Sequence, residues 1–193
     1  MNLNIQIPDN TALIFEYMQK GQFICSNSTD IDLRDMYNMI DENYESLYQY
    51  FSQINYTLER GNEYFYFSRT ESKTTLEQKI LRAYYWIDVL DSSKLTMKHS
   101  VQASASSRNK FLVEANINVL LQNKLDGIRK HFSDKDIRKD VLDNMIRLLA
   151  KESFIELENE KTNTYKVLTS WHYLEKLVDS INIFEDIEDE KPE

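Results

Sequence analysis

Twice along this chain a helix-period apolar stripe runs directly into a short hairpin. In the first copy Leu33, Tyr37, Ile40, Tyr44, Leu47 and Phe51 succeed one another at steps of three and four, which sets all six on one helix face. That helix leads into Tyr56 to Arg69, read as a hairpin with a turn at its centre. The second copy is shorter: Ile137, Val141, Met145 and Leu149 form the stripe, and Phe154 to Leu168 form the hairpin. A helix that feeds a two-stranded hairpin is the core of a winged helix. The expected fold class is therefore mostly α with small β-hairpins (α+β), as tandem winged-helix domains joined by helices.

The boundaries follow from the pattern. Residues 1–72 form an N-terminal winged-helix domain, 73–132 connecting helices, 133–182 a C-terminal winged-helix domain and 183–193 an acidic tail. Three glycines and two prolines in 193 residues are few, which favours long helices over a turn-rich sheet fold, and 41% hydrophobic residues can bury one or two modest cores. The start, Met-Asn-Leu-Asn-Ile-Gln-Ile-Pro, has no basic region and no apolar run. Nowhere are about 18 consecutive residues apolar. A soluble cytoplasmic protein is expected, and the single cysteine, Cys25, suits a reducing compartment.

Along the chain, Pro8-Asp9-Asn10-Thr11 signals a helix start, with Leu13, Ile14, Tyr17 and Met18 as its buried face and Gly21 as its end. Phe23 and Ile24 make a brief extended piece. Asn27-Ser28-Thr29-Asp30 caps the first long helix, which ends near Ser52. Thr74 and Glu77 have capping-box spacing ahead of a helix carrying Leu76, Ile80, Tyr84, Ile87 and Leu90. Residues 99–108 read as a loop, a further helix carries Leu112, Ala115, Val119 and Leu120, Ser133 caps the second long helix, and Trp171, Leu174, Val178 and Ile181 mark a last one.

The net charge of −9 is unevenly distributed. Residues 1–70 hold four basic and ten acidic side chains, whereas 71–133 hold ten basic and six acidic. Residues 134–180 are nearly balanced at eight to ten, and the last thirteen hold six acids and one lysine. A groove-reading helix must bring lysine and arginine to phosphates. The helix after Thr29 instead carries Asp30, Asp32, Asp35, Asp41, Glu42 and Glu45 against Arg34 alone, and a DNA backbone would repel it. The second long helix differs. Lys130, Lys135, Arg138, Lys139 and Arg147 are the candidate nucleic-acid contacts, with Lys124, Arg129 and Lys151 nearby; the other reading is ordinary solvated helix charge.

Tyr64, Phe65, Tyr66 and Phe67 are consecutive, so both faces of their strand carry aromatic rings. They are the candidate partner-binding residues, unless the segment from Leu76 to Trp86 covers the second face from within the chain. Catalysis finds little support. His99, His131 and His172 are far apart, one cysteine cannot build a zinc cluster, and the glycines form no phosphate loop. Cys25 beside Ile24 reads as a small buried residue and His172 beside Trp171 as structural. No catalytic residue, metal or cofactor is expected.

Several runs, in order, resemble one family. Ile14-Phe15 followed by Lys20-Gly21-Gln22-Phe23-Ile24 is similar to the opening motif of the MksE-like relatives of MukE, accessory subunits of bacterial condensin-type complexes. Tyr37, the stretch from Tyr48 to Phe51 and the run from Glu63 to Arg69 resemble that family's first winged helix and wing. Trp86 to Leu90, Ser107 to Phe111, and Tyr165 to Leu168 through Tyr173-Leu174-Glu175 resemble its later blocks. From His99 to Ser107 the chain departs from the pattern, where relatives carry a loop richer in glycine and proline.

The resemblance implies a non-enzymatic adaptor, cytoplasmic and nucleoid-associated, that forms a homodimer, holds a kleisin chain and helps clamp DNA, without sequence preference, against an SMC-type ATPase. It implies no membrane and no small-molecule substrate. Related sets act in plasmid defence, where a nuclease subunit cuts. The rival expectation is a stand-alone winged-helix transcription regulator.

Overall fold

The computed structural model describes residues 7–75, 77, 79, 80, 86, 138–161, 164–177, 179 and 180. Within them the protein is an α+β structure of helices and two small antiparallel sheets. Helix α1 (Thr11–Met18) precedes strand β1 (Ile24–Cys25), helices α2 (Ile31–Glu42) and α3 (Tyr44–Ser52), and strands β2 (Thr57–Arg60) and β3 (Tyr64–Ser68). Helix α4 (Arg138–Lys151) then leads into β4 (Ile155–Asn159) and β5 (Thr164–Val167), and residues 171–177 are helical. The first sheet has the order β1-β3-β2, and β4 pairs with β5 alone.

Gly21, at φ +82°, lets the chain leave α1 in a left-handed conformation closed to most residues. Asp30 caps α2 by accepting from the Asp32 amide at 2.8 Å. The stripe that predicts one helix as far as Ser52 is divided at Asn43, whose φ of −118° and ψ of 23° are not helical. The Asn43 side chain donates to the Met39 carbonyl at 2.9 Å, and its backbone N–H reaches the same oxygen at 3.1 Å. The backbone bond is the last i→i−4 bond of α2, and the side-chain bond shares its acceptor and so competes with helix continuation. The apolar face survives the break, since Leu33, Ile40, Leu47 and Phe51 are all buried.

Strand β3 pairs with both β1 and β2, placing Phe65 beside Ile24 and Arg60, and Phe67 beside Leu58. The turn into it requires glycine at 61, because an added Cβ would lie 2.0 Å from the Tyr64 ring. One core, on one face of this sheet, joins Ile14, Met18, Ile24, Ile40, Leu47, Phe51, Leu58 and Phe65. The other core is shared across the molecule. It gathers Phe23, Cys25 and Tyr64 with Trp86, Met145, Leu149, Phe154, Ile155, Leu168 and Leu174. A helix with a two-stranded hairpin buries too little alone, so the second hairpin completes its core on the first sheet.

The expected buried face of α1 needs one correction. Ile14 and Met18 are buried, but Leu13 is 49% exposed, because it lies one position off the stripe that faces α3. Ile14→Ala should therefore cost about 2–5 kcal/mol in urea unfolding. Leu13→Ala should stay within about 0.5 kcal/mol of the parent. Equal losses at the two sites would contradict this packing.

Candidate functional site

The sequence offered three candidate surfaces: the aromatic strand, the acidic helix and the basic helix. On β3 the alternation of side chains sends the four aromatics in opposite directions. Phe65 lies with Tyr37 and Tyr44 at ring-centre distances of 5.1 and 6.0 Å, and Phe67 with Phe51, Tyr56 and Phe15 at 4.7, 5.2 and 6.0 Å. On the opposite face Tyr64 and Tyr66 meet Phe23 at 5.7 and 5.4 Å, and Tyr66 meets Tyr173 at 5.0 Å. Tyr173 and Phe154 both stack near Phe23, and Trp86 lies 5.3 Å from Phe154.

Both faces of the strand are thus covered from within the chain. Tyr64 and Phe65 are 2% and 1% exposed, packed inside the chain in this structure. Tyr66 and Phe67 are half-buried and keep an open edge. Trp86 contributes to the cover, in line with the alternative reading of the segment from Leu76 to Trp86. Phe23, Phe154 and Tyr173 were not anticipated there, since only the tertiary fold brings residues so distant in sequence together.

Burial sets the ionisation of this region. It pushes the Tyr66 hydroxyl up to about 12, with Tyr173, Glu59 and Tyr64 adding to the effect, and it raises Tyr64 and Tyr173 as well. The Cys25 thiol is pushed up chiefly by burial, against opposing hydrogen bonds from Ser170 and Thr169. A thiol held in its protonated form is a poor nucleophile. His172 places Nδ1 3.0 Å from the Thr169 carbonyl oxygen, at the start of the last helical turn sequence. His99 and His131 lie outside the described residues.

The acidic surface is open. Asp30, Asp32, Asp35, Asp41, Glu42 and Glu45 are all exposed along α2 and the start of α3. Of the nearby cations, Arg34 donates to the Ser28 carbonyl at 2.6 Å, and Arg60 pairs with Asp41 at 3.0 Å while lying 4.2 Å above the Tyr44 ring. Arg69 reaches toward the Tyr56 hydroxyl at 3.4 Å. With Arg34 and Arg60 occupied in this way, the face presents negative potential.

Of the basic candidates, Lys130 and Lys135 lie outside the described residues. Arg138 and Lys139 stand on the helical backbone at the beginning of α4. Arg147, a little over two turns further on, is exposed and donates to Asn144 Oδ1 at 3.3 Å. Among the described residues, no group of three or more His, Cys, Asp or Glu side chains converges as a metal site would need, and no helix is long and apolar enough to cross a membrane.

A family model for the condensin complex protein MksE matches residues 9–178. The chain belongs to the MksE family. MksE proteins are condensin accessory subunits rather than enzymes, and they work with SMC and kleisin subunits. Compared with the curated proteins, this MksE chain has no significant match.

The raised tyrosines predict an alkaline weakness. A group whose folded pKa exceeds its unfolded value stabilises fully below the unfolded value and loses that contribution as pH rises through the folded one. For Tyr66 the interval runs from 10.0 to about 12. Folding stability measured by urea titration should fall across it, and Tyr66→Phe should make the fall shallower. A slope unchanged by Tyr66→Phe would contradict the assignment.

Proposed function

We propose that this MksE-family chain is a homodimeric adaptor that holds the kleisin and helps the complex grip DNA, for chromosome organisation or plasmid defence, in the cytoplasm at the nucleoid. The family match across 9–178 carries this reading. Within it, each helix-and-hairpin is a winged helix, with domain boundaries at 1–72 and 133–182; the expected connecting helices over 73–132 lie largely, and the acidic tail over 183–193 wholly, outside the described residues. The strand order β1-β3-β2 behind three helices supports the first assignment, and the β4-β5 hairpin directly after α4 supports the second.

The two units divide the work by charge. The exposed acids of α2 and α3 favour a protein partner over phosphates. Half-buried Tyr66 and Phe67 supply aromatic edge where such a partner reaches β3, and Tyr64 and Phe65 support it from beneath. DNA, bound without sequence preference, falls to the basic stretch of Lys130, Lys135, Arg138, Lys139 and Arg147.

Co-expression with SMC and kleisin subunits, followed by size-exclusion chromatography with light scattering, tests the adaptor reading. The expected result is a dimer that co-elutes with the kleisin; a monomer that ignores the kleisin and binds an operator alone would instead mark a transcription regulator. In the assembled complex, Arg138→Glu with Lys139→Glu should weaken DNA binding. It should also lower the slope of log affinity against log salt by roughly one per lost phosphate contact. DNA held as tightly as by the parent complex would remove α4 as a contact.

A further inference from the structure

We infer that Glu156 is a latch that fixes the second hairpin against the start of α2, so that the two units keep one mutual orientation. Glu156 stands on β4, yet its carboxylate is bound entirely by the loop between β1 and α2. Ser28 Oγ lies 2.9 Å from both carboxylate oxygens, and the Thr29 amide and hydroxyl donate to Oε2 at 2.6 and 2.8 Å. Ser28 is 1% exposed and also accepts from the Asp30 amide at 3.1 Å, which ties the latch into the cap of α2. Bonds to an ionised acceptor are among the stronger ones available, and a carboxylate ahead of a helix N-terminus is favoured by the helix dipole.

A second contact fixes the other strand of the hairpin. The Asn27 amide donates to the Val167 carbonyl and accepts from the Thr169 N–H, both at 3.0 Å, engaging the backbone as a neighbouring strand would. The Thr169 hydroxyl closes the set by donating to the Glu63 carbonyl at 2.6 Å. Three consecutive residues, Asn27, Ser28 and Thr29, thus hold β4 and the end of β5 at once.

Apolar contact and polar contact contribute differently here. The hydrophobic part of the shared core's attraction is non-directional and scales with the area buried. The latch has fixed donors, acceptors and distances, so it selects one register among those the core would permit. Its consequence is mechanical: the acidic face of α2 and Arg147 on α4 are presented as parts of one body, and a partner bound to one constrains the other.

Hydrogen–deuterium exchange on the full chain tests this. In Glu156→Ala the amides of 27–33 and of 155–168 should exchange about tenfold faster or more, together, while those of α3 keep the parent rate. Glu156→Gln, which keeps one acceptor oxygen, should restore part of the protection. Thr29→Val removes one exposed hydroxyl and should loosen the same two segments to a smaller extent, which decides the matter should Glu156→Ala fail to fold. Unchanged exchange in both segments, a change in one alone, or an equal rise in α3 would overturn the latch.

Discussion

Strand β3 carries aromatic rings on both faces, and the described structure is arranged around that fact. Phe65 and Phe67 close a core with α1, α2 and α3, while Tyr64 and Tyr66 open a second one toward Phe23, Phe154 and Tyr173. A half-solvated strand would alternate aromatic and polar residues. Because this one does not, its second face needs cover, and the hairpin that follows α4 needs a floor. Each solves the other's problem.

What remains outside in the N-terminal part is strongly charged. Tyr64 and Phe65 are buried within the chain, whereas the acids of α2 and the start of α3 are exposed. Such a helix pair carries the same sign of charge as a phosphate backbone and is electrostatically ill-suited to it. Apolar packing gives the assembly its cohesion, and the bonds from Asn27, Ser28 and Thr29 give it direction.

Much of this was legible in the sequence, for local reasons. The stripe from Leu33 to Phe51, the cap at Asp30, the end at Gly21 and both hairpins depend on neighbours within a few residues, and each was found where periodicity placed it. The break at Asn43 was missed because the apolar steps continue across it; the only signal was an asparagine able to bond the Met39 carbonyl. Leu13 was misplaced because adjacent apolar residues on a short helix leave its facing ambiguous by one position. The contacts of Asn27 and Glu156 span 127 residues or more, and no local pattern encodes them. The acidic character of α2 was readable directly, whereas the fate of the β3 aromatics was not, since partner burial and self-burial leave the same residues in the sequence.

The claim most exposed to refutation is that the two sheets share a core and therefore unfold as one. The chain has two tryptophans, Trp86 buried in the shared core and Trp171 packed against it, while far-UV circular dichroism reports helices throughout. Equilibrium urea unfolding followed by tryptophan fluorescence and by circular dichroism should give coincident transitions with one midpoint. A fluorescence transition clearly separated from the loss of helical signal would mean that the second hairpin folds or releases independently of β3, and would contradict the account.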